Sequence, residues 1–360
     1  MTEQLFIPEP YAFNLENGKV TWESPSNIAL IKYWGKKKHQ IPKNPSISFT
    51  LDKCKTITSV TFTKKEETDD FSFEVFLDGE KKDDFKPKIN TFFTRIEAYV
   101  PFLKHYHFKI ETKNTFPHSS GIASSASGMS ALALCLISIE KQMQPSLSDD
   151  QFNRKASFLA RLGSGSACRS IEGDLIVWGQ TDEIEQSSDL FGIKYPYKVH
   201  DNFKNFQDTI LLVDEGEKQV SSTVGHNLMN NHPFAEERFQ QAHHNIKLLK
   251  PILESGDINS FIKLIESEAL TLHAMMMTSM PYFILMKPNT LQIINKIWEF
   301  RNNTELHLGF TLDAGANVHL LYPQNESDKI LEFIKSELVG YCQNGHYICD
   351  QIGLGANRIE

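Results

Sequence analysis

Apolar positions change their spacing several times along the chain, and the changes divide it into strands and helices. Over residues 19–62, β-branched and aromatic residues stand on both sides of a polar segment at 35–45, GKKKHQIPKNP, which predicts two strands around a connection. Residues 71–77 and 107–112 predict two more strands, separated by an Asp78-Gly79 turn and a helix over 89–99. Residues 129–143 are apolar almost all round, which predicts a buried helix rather than a surface stripe. Ser148 with Gln151 three residues on has the form of a capping box, and Phe152, Ala156, Leu159 and Ala160 keep helical spacing as far as Gly163. Residues 175–178 predict a strand, and the polar stretch 182–205 predicts a linker between halves. Beyond it, 209–213 predicts a buried strand. Phe239, Ala242, Ile246 and Leu249 predict one helix, and Leu291, Ile294, Ile297 and Trp298 another, behind a Pro288-Asn289 start. A last helix over 327–338 lies between strands near 318–322 and 347–349. Strands and helices without strict alternation predict an α+β fold, in two domains of residues 1–195 and 196–360.

The 360 residues are 40% hydrophobic and 11% aromatic, enough apolar material for two cores and far from the composition of a disordered chain. A formal charge of −8 argues against a protein that coats nucleic acid, which needs a clustered positive face, while local Lys and Arg still suit small anions. Cys54, Cys135, Cys168, Cys342 and Cys349 are odd in number and scattered, with no CxxC pair, so reduced thiols are expected rather than a disulfide framework or zinc site. The opening MTEQLFIPEP lacks a basic region followed by an apolar core, and no apolar run approaches the roughly 18 residues of a membrane span. The expectation is a soluble cytoplasmic protein with neither a nucleic-acid nor a membrane partner.

Several stretches carry candidate chemistry, and each also has a plain structural reading. Residues 114–128, NTFPHSSGIASSASG, predict a strand end, a loop of small residues and a helix start. Gly121 and Gly128 have no Cβ, and Ser119, Ser120, Ser124, Ser125 and Ser127 carry only a hydroxyl, so backbone N–H groups can close around a polyanion at the helix N-terminus. An ordinary Ser/Gly turn capping a core helix has the same composition. In SPSNIALIKYWG, residues 24–35, Lys32 sits inside an apolar run with Lys36 just after it. It is either an edge-strand lysine reaching for water or a fixed positive charge in a cleft. A second small-residue loop, GSGSACR, brings Arg169, suited to gripping a carboxylate bidentately with hydroxyl contacts from Ser164 and Ser166, or to holding a tight turn. Asp313-Ala314-Gly315 follows the strand-like HLGFTL; such a triplet is a turn, or it sets a carboxylate where it can orient a substrate hydroxyl or take its proton. KQVSSTVGH, residues 218–226, suits oxygen-rich ligands or a helix cap, and the lysines of 35–45 suit a solvated hairpin loop. Among 13 histidines the one HxH is His105-Tyr106-His107, and no HExxH occurs, so no dedicated protein metal site is expected. A magnesium ion riding on nucleotide phosphates would leave little sequence trace.

In order and approximate spacing, SPSNIALIKYWGK, PKNPSISFTL, PHSSGIASSASG, RLGSGSACRS, KQVSSTVG and TLDAGAN resemble the motifs of the diphosphomevalonate decarboxylases, members of the GHMP kinase superfamily, from about residue 24 to residue 322. IALIKYWGK and GSGSACRS together are not shared by the superfamily's sugar and mevalonate kinases, which have chiefly the Ser/Gly phosphate loop in common. The resemblance implies an N-terminal α+β domain with a left-handed βαβ element and a C-terminal ferredoxin-like α+β domain, with the active site between them. It implies ATP and Mg2+, a homodimer, and phosphorylation of the tertiary hydroxyl of mevalonate 5-diphosphate followed by decarboxylation to isopentenyl diphosphate. By the same resemblance Asp313 is the catalytic carboxylate, Arg169 the clamp on the substrate carboxylate with Ser164 and Ser166, and Lys32 the charge at the reacting centre. Tyr33, Lys36 and Ser222 reach the diphosphate, and Ser119, Ser120, Gly121, Ser124, Ser125 and Ser127 bind the nucleotide. The sequence departs from the family pattern at Pro45, usually Ser; at Ala316, the proline of DAGPN; and at His118-Ser119-Ser120, usually Thr-Ala-Ala. Lys88 stands where many members have a diphosphate-binding Arg, and a lysine lacks the bidentate fork. Three other readings stay open: a mevalonate 5-monophosphate decarboxylase, a mevalonate-type kinase without decarboxylation, and a non-catalytic binding protein of the same fold.

Overall fold

The structure is a computed structural model that describes residues 2–117, 122–216 and 222–360. The first half contains β1 (Asn17–Ile31), β2 (Ser46–Lys64), β3 (Ser72–Leu77), β4 (Glu80–Lys81), α1 (Lys86–Ile96), β5 (Tyr106–Asn114), α2 (Ser124–Met143), α3 (Asp149–Gly163), β6 (Leu175–Trp178) and β7 (Ile193–Lys194). The second contains β8 (Gln207–Leu211), α4 (Ser222–Asn227), α5 (Ala235–Ser255), α6 (Ile258–Met277), α7 (Pro288–Asn303), β9 (Gly309–Thr311), β10 (Val318–Tyr322), α8 (Ser327–Phe333), β11 (Tyr347–Gln351) and β12 (Asn357–Arg358). The fold is α+β, as expected.

β1 and β2 form the long antiparallel hairpin expected around the lysine-rich segment, in a sheet ordered β12-β1-β2-β5-β3-β4. The far end of β2 pairs with β5, and its near end, Ser46 to Phe49, pairs with β6. β3 and β5 run parallel and are joined through α1, a βαβ unit. Burial explains why β2 reads differently along its length. From Cys54 to Phe62 buried positions alternate, because α2 covers one face; from Ser46 to Leu51 every residue is buried, because the second half of the chain covers the other face too. The turn at Asp78-Gly79 puts both residues at positive φ and closes the β3–β4 hairpin.

α2 is buried nearly all round, as its composition requires, and sits with α3 beneath β1 and β2. The capping box is present: Gln151 N–H donates to Ser148 Oγ at 3.2 Å, and Ser148 N–H donates to Gln151 Oε1 at 2.9 Å. The stretch 182–205 is no free linker. Ile184, Leu190, Phe191, Tyr195 and Phe203 are buried, and β7 pairs with β6, so apolar anchors among its polar residues strap it to the body.

The second sheet is antiparallel throughout, ordered β11-β8-β10-β9, the 4-1-3-2 arrangement of a ferredoxin-like unit. α7 and the start of α8 pack on it through Ile293, Ile294, Ile297 and Ile330. Leu291 and Trp298, expected on that buried stripe, are exposed; the inward phase is Thr290, Ile293, Ile294 and Ile297, and Trp298 sits at the edge with its indole N–H on Glu266 Oε2 at 3.1 Å. The predicted last helix keeps α-geometry only to Phe333 and continues as a π-turn over Ile334–Leu338. The chain then returns to the first sheet, where β12 pairs with β1.

Candidate active site

Lys32 follows the last residue of β1 and is 2% exposed. Its main chain is held from two sides. Its N–H donates to Glu268 Oε2 at 2.8 Å, and its carbonyl accepts from Arg238 Nη2 at 3.1 Å and Asn44 Nδ2 at 2.9 Å. With the backbone fixed, the side chain reaches the turn between β9 and β10, where Nζ meets Asp313 Oδ1 at 3.0 Å. The Asp313 side chain is 29% exposed, so the pair has a buried cation and a carboxylate that opens onto solvent. Burial pulls the Lys32 ammonium below its usual range; Asp313 and Glu268 oppose that, and Arg169 adds to it.

Arg169 lies in a short 3-10 helix, Gly165–Ser170, wound directly onto the end of α3. It is 3% exposed, donates to Ser46 Oγ and, at 3.4 Å from both Nε and Nη2, to Asn27 Oδ1, and rests 5.9 Å above the Trp178 ring. Among the described residues it has no carboxylate within ion-pair distance. Its hydrogen-bond partners are neutral and Asp313 acts on it only from beyond ion-pair distance, an arrangement that is costly for a buried guanidinium unless an anion completes its shell. Gly165 makes the winding possible: a Cβ there would stand 2.9 Å from both Trp178 and Tyr33 Oη.

Around this centre the other expected residues divide. Ser164 and Ser166 are half-buried beside Arg169, and Ser164 Oγ lies 3.5 Å from Ser125 Oγ, so the two small-residue loops meet. Tyr33 lies against Trp178 at 4.6 Å and His226 at 4.1 Å, and its buried hydroxyl has no hydrogen-bond partner among the described residues. Lys36 is half-buried, its amine pushed down first by burial and then by Arg95. Ser222 is the first residue of α4. This helix packs close enough that a Cβ at Gly225 would stand 2.5 Å from Trp34. His226, on α4, accepts from Gly35 N–H through Nδ1 at 3.0 Å, and burial, then Lys36 and Arg169, push it down to about 3, so it is neutral.

Ser124 and Ser125 open the first turn of α2 at the mouth of a cavity of about 250 Å³, whose lining includes Thr58, Phe85, Lys88 and Ile110. Ser127 does not line the cavity itself: it is buried, with Oγ 2.6 Å from Oγ1 of Thr56, which does. Ser119, Ser120 and Gly121 lie outside the described residues. Lys88, taken from the sequence as a diphosphate-side residue, lines this cavity. Ala316 is buried, and its carbonyl accepts from Thr290 Oγ1 at 2.7 Å, which anchors the Asp313 turn to the first turn of α7. Among the described residues no cluster of His, Cys, Asp or Glu could hold a metal ion, and no helix is long and apolar enough to cross a membrane.

Two family models cover most of the chain. One, the diphosphomevalonate decarboxylase-like N-terminal domain, matches residues 24–189; the other, the mevalonate 5-diphosphate decarboxylase C-terminal domain, matches 209–352. The chain belongs to the diphosphomevalonate decarboxylase family. It is 27% identical to diphosphomevalonate decarboxylase of Candida albicans over 353 residues, 93% of each chain. The mevalonate diphosphate decarboxylase structure from Staphylococcus aureus superposes with a TM-score of 0.80 at 28% identity, covering 96% of this chain and 98% of that one. Another family structure, described as MDDEF in complex with MVAPP, AMPPCP and magnesium, superposes with a TM-score of 0.81 at 26% identity over 96% and 99%. Against that background, the residues that sequence reasoning left without a role are those that hold the centre rather than form it: Asn27, Ser46, Arg238, Glu268, His273 and His226. Asn27 and Ser46 stand inside family motifs and His226 directly follows one. Arg238, Glu268 and His273 lie on helices and carry no local signal.

Proposed function

We propose that the chain catalyses the ATP-dependent decarboxylation of mevalonate 5-diphosphate to isopentenyl diphosphate, with ADP, phosphate and carbon dioxide as the other products. The observation that carries this reading is the Lys32–Asp313 pair set beside a buried Arg169 that, among the described residues, has no carboxylate within ion-pair distance. Asp313 orients the substrate's tertiary hydroxyl and accepts its proton as the hydroxyl oxygen attacks the γ-phosphorus of ATP. Lys32 keeps that carboxylate ionised and balances charge at the reacting centre. Arg169 takes the substrate carboxylate, with Ser164 and Ser166 at its flank. When the new phosphate ester leaves carbon 3 with its bonding electrons, the bond to the carboxylate supplies the replacement pair. Carbon dioxide departs and a carbon–carbon double bond forms. Tyr33, whose buried hydroxyl has no hydrogen-bond partner among the described residues, Lys36 and Ser222 receive the diphosphate.

ATP fits the other end of the cleft. Ser124 and Ser125 at the N-terminus of the 20-residue α2 offer hydroxyls and a positive dipole end to its phosphates, and the adjoining cavity has room for its base. Mg2+ bound through those phosphates needs few protein ligands. We place the domain boundary at 195/196, within the stretch that neither family model matches, and read the protein as a cytoplasmic homodimer.

The test is carbon dioxide release with ATP and, in parallel, mevalonate, its 5-phosphate and its 5-diphosphate. Release should require the diphosphate, and Asp313→Ala should lower kcat by about 10²- to 10⁴-fold. ADP without carbon dioxide would make the protein a kinase, and turnover that survives Asp313→Ala in clean protein would remove the assigned mechanism.

A further inference from the structure

Lys32 and Asp313 come from opposite halves of the chain, yet one helix touches the main chain of both. We propose that α6 is a positioning element for the reaction, in which Glu268 and His273 set the separation of Lys32 and Asp313 by gripping their backbones. Glu268 Oε2 accepts the Lys32 N–H at 2.8 Å, and His273 Nε2 donates to the Asp313 carbonyl at 3.1 Å. The two side chains leave α6 five residues apart, about 7.5 Å along its axis. Lys32 Nζ on Asp313 Oδ1 closes the ring, so the distance between the two charged groups is tied to a rigid rod.

Each grip is itself held. The Glu268 carboxylate, fully buried, receives Arg238 Nη1 at 3.0 Å, Arg238 Nη2 at 2.5 Å and Asn245 Nδ2 at 2.5 Å, and Arg238 also reaches the Lys32 carbonyl. Donor and acceptor of the Lys32 peptide are therefore both engaged from α5 and α6. A buried Arg–Glu pair is weak evidence for stability, since well-packed apolar residues often serve as well, but it fixes geometry that an apolar contact leaves loose. His273 is 1% exposed and burial pushes it down to about 4, so it stays neutral and keeps the single N–H that the carbonyl requires. The charged or titratable groups that act on Lys32 are Asp313 from the turn after β9, Glu268 and His273 from α6, Arg169 from the 3-10 helix and Asp208 from β8, with Arg238 of α5 on its carbonyl.

The rate measurements rest on the decarboxylase reading; the structural one does not. In the full chain, His273→Leu should cut kcat by about tenfold or more with KM for ATP and mevalonate 5-diphosphate within about twofold. His273→Gln, whose amide replaces the lost N–H, should restore most of the rate. Glu268→Gln should move the alkaline limb of the kcat/KM profile lower by about half a pH unit, because a negative charge beside Lys32 is gone. Crystal structures of wild type and His273→Leu should show the Lys32–Asp313 contact lengthened beyond hydrogen-bond reach. An unchanged contact, or a kcat that falls only with the fraction of folded protein and is not rescued by Gln, overturns the proposal. Should Glu268→Gln fail to fold, the His273 pair decides alone. If wild type releases no carbon dioxide from any substrate, the functional reading fails and the crystallographic distance still decides the brace.

Discussion

GIASSASG and GSGSACRS look alike in the sequence, yet the two loops do opposite work. The first opens α2, where Ser124 and Ser125 border a cavity. The second is wound into a buried 3-10 turn against Tyr33 and Trp178, with Arg169 planted under the ends of β1 and β2. In the first, absence of side-chain bulk leaves space for a ligand. In the second, it lets the turn close against two rings, Trp178 and Tyr33, and so sets the Arg169 guanidinium where an anion can complete its shell. Small residues are therefore no sign of a phosphate loop until burial is known, and the two loops should respond differently to substitution.

The strongest test of that difference is Arg169→Lys. A lysine keeps the charge but loses the fork, and Asn27 Oδ1 and Ser46 Oγ each lose a donor. We expect kcat/KM to fall by about 10²- to 10³-fold, roughly 3 to 4 kcal/mol of transition-state stabilisation, and the melting temperature to drop by only about a few degrees for the two lost donors. A loss under about fivefold would mean that Arg169 props the turn rather than grips the substrate.

Acid should separate the two sides next. His226, against Tyr33 and Trp34, and His273, against Asp313, have pKa values pushed down to about 3 and about 4 by burial, from 6.5. The unfolded chain takes up protons as pH drops through 6.5 and the folded chain does not until far lower. Stability is thus complete above pH 6.5 and is lost toward pH 4, by about 1.4 kcal/mol per histidine per pH unit and about 2 kcal/mol each at pH 5. The urea midpoint should fall between pH 7 and pH 5, with amide exchange at residues 33–35 rising before that of α2. A midpoint flat over that range would show that both rings take up their protons in the folded state.

Much of the fold was legible because local pattern and tertiary burial agree: the β1–β2 hairpin, the all-apolar α2, the capping box of α3 and the β6 strand all stand where periodicity places them. α6 was not. Its residues 266–276, ESEALTLHAMM, put Glu268 and His273 at buried positions, and a charged or imidazole side chain at a core position breaks the apolar stripe that a helix is read by. Lys32 was ambiguous for a related reason. Whether a lysine at a strand end reaches water or a cleft depends on what covers that end, and here α5 and α6, more than 200 residues later in the chain, cover it. Asn27 and Ser46 stood in plain view inside motifs, but their role follows from where the 3-10 turn sets Arg169, which spacing does not encode.

The finest test lies within the first loop, between two serines that composition cannot tell apart. Ser125 and Ser127 are two positions apart on α2, about 200° around its axis, so if one is open to the cavity the other is turned into the packing against the sheet that walls it. Ser125 is exposed at the cavity mouth; Ser127 is buried against Thr56 of β2. Ser125→Ala should raise KM for ATP by about three- to tenfold, the worth of about one hydrogen bond, without moving the melting temperature. Ser127→Ala should do the reverse, costing about 1 kcal/mol of stability with KM for ATP unchanged. Thr56 keeps a partner in Asn114 Oδ1 at 2.7 Å, which holds that cost to the low end of what a buried hydroxyl pair contributes. If instead Ser127→Ala weakens ATP and Ser125→Ala leaves it alone, the phosphates lie deeper against β2 than the cavity mouth, and the first loop resembles the second in being read from the inside.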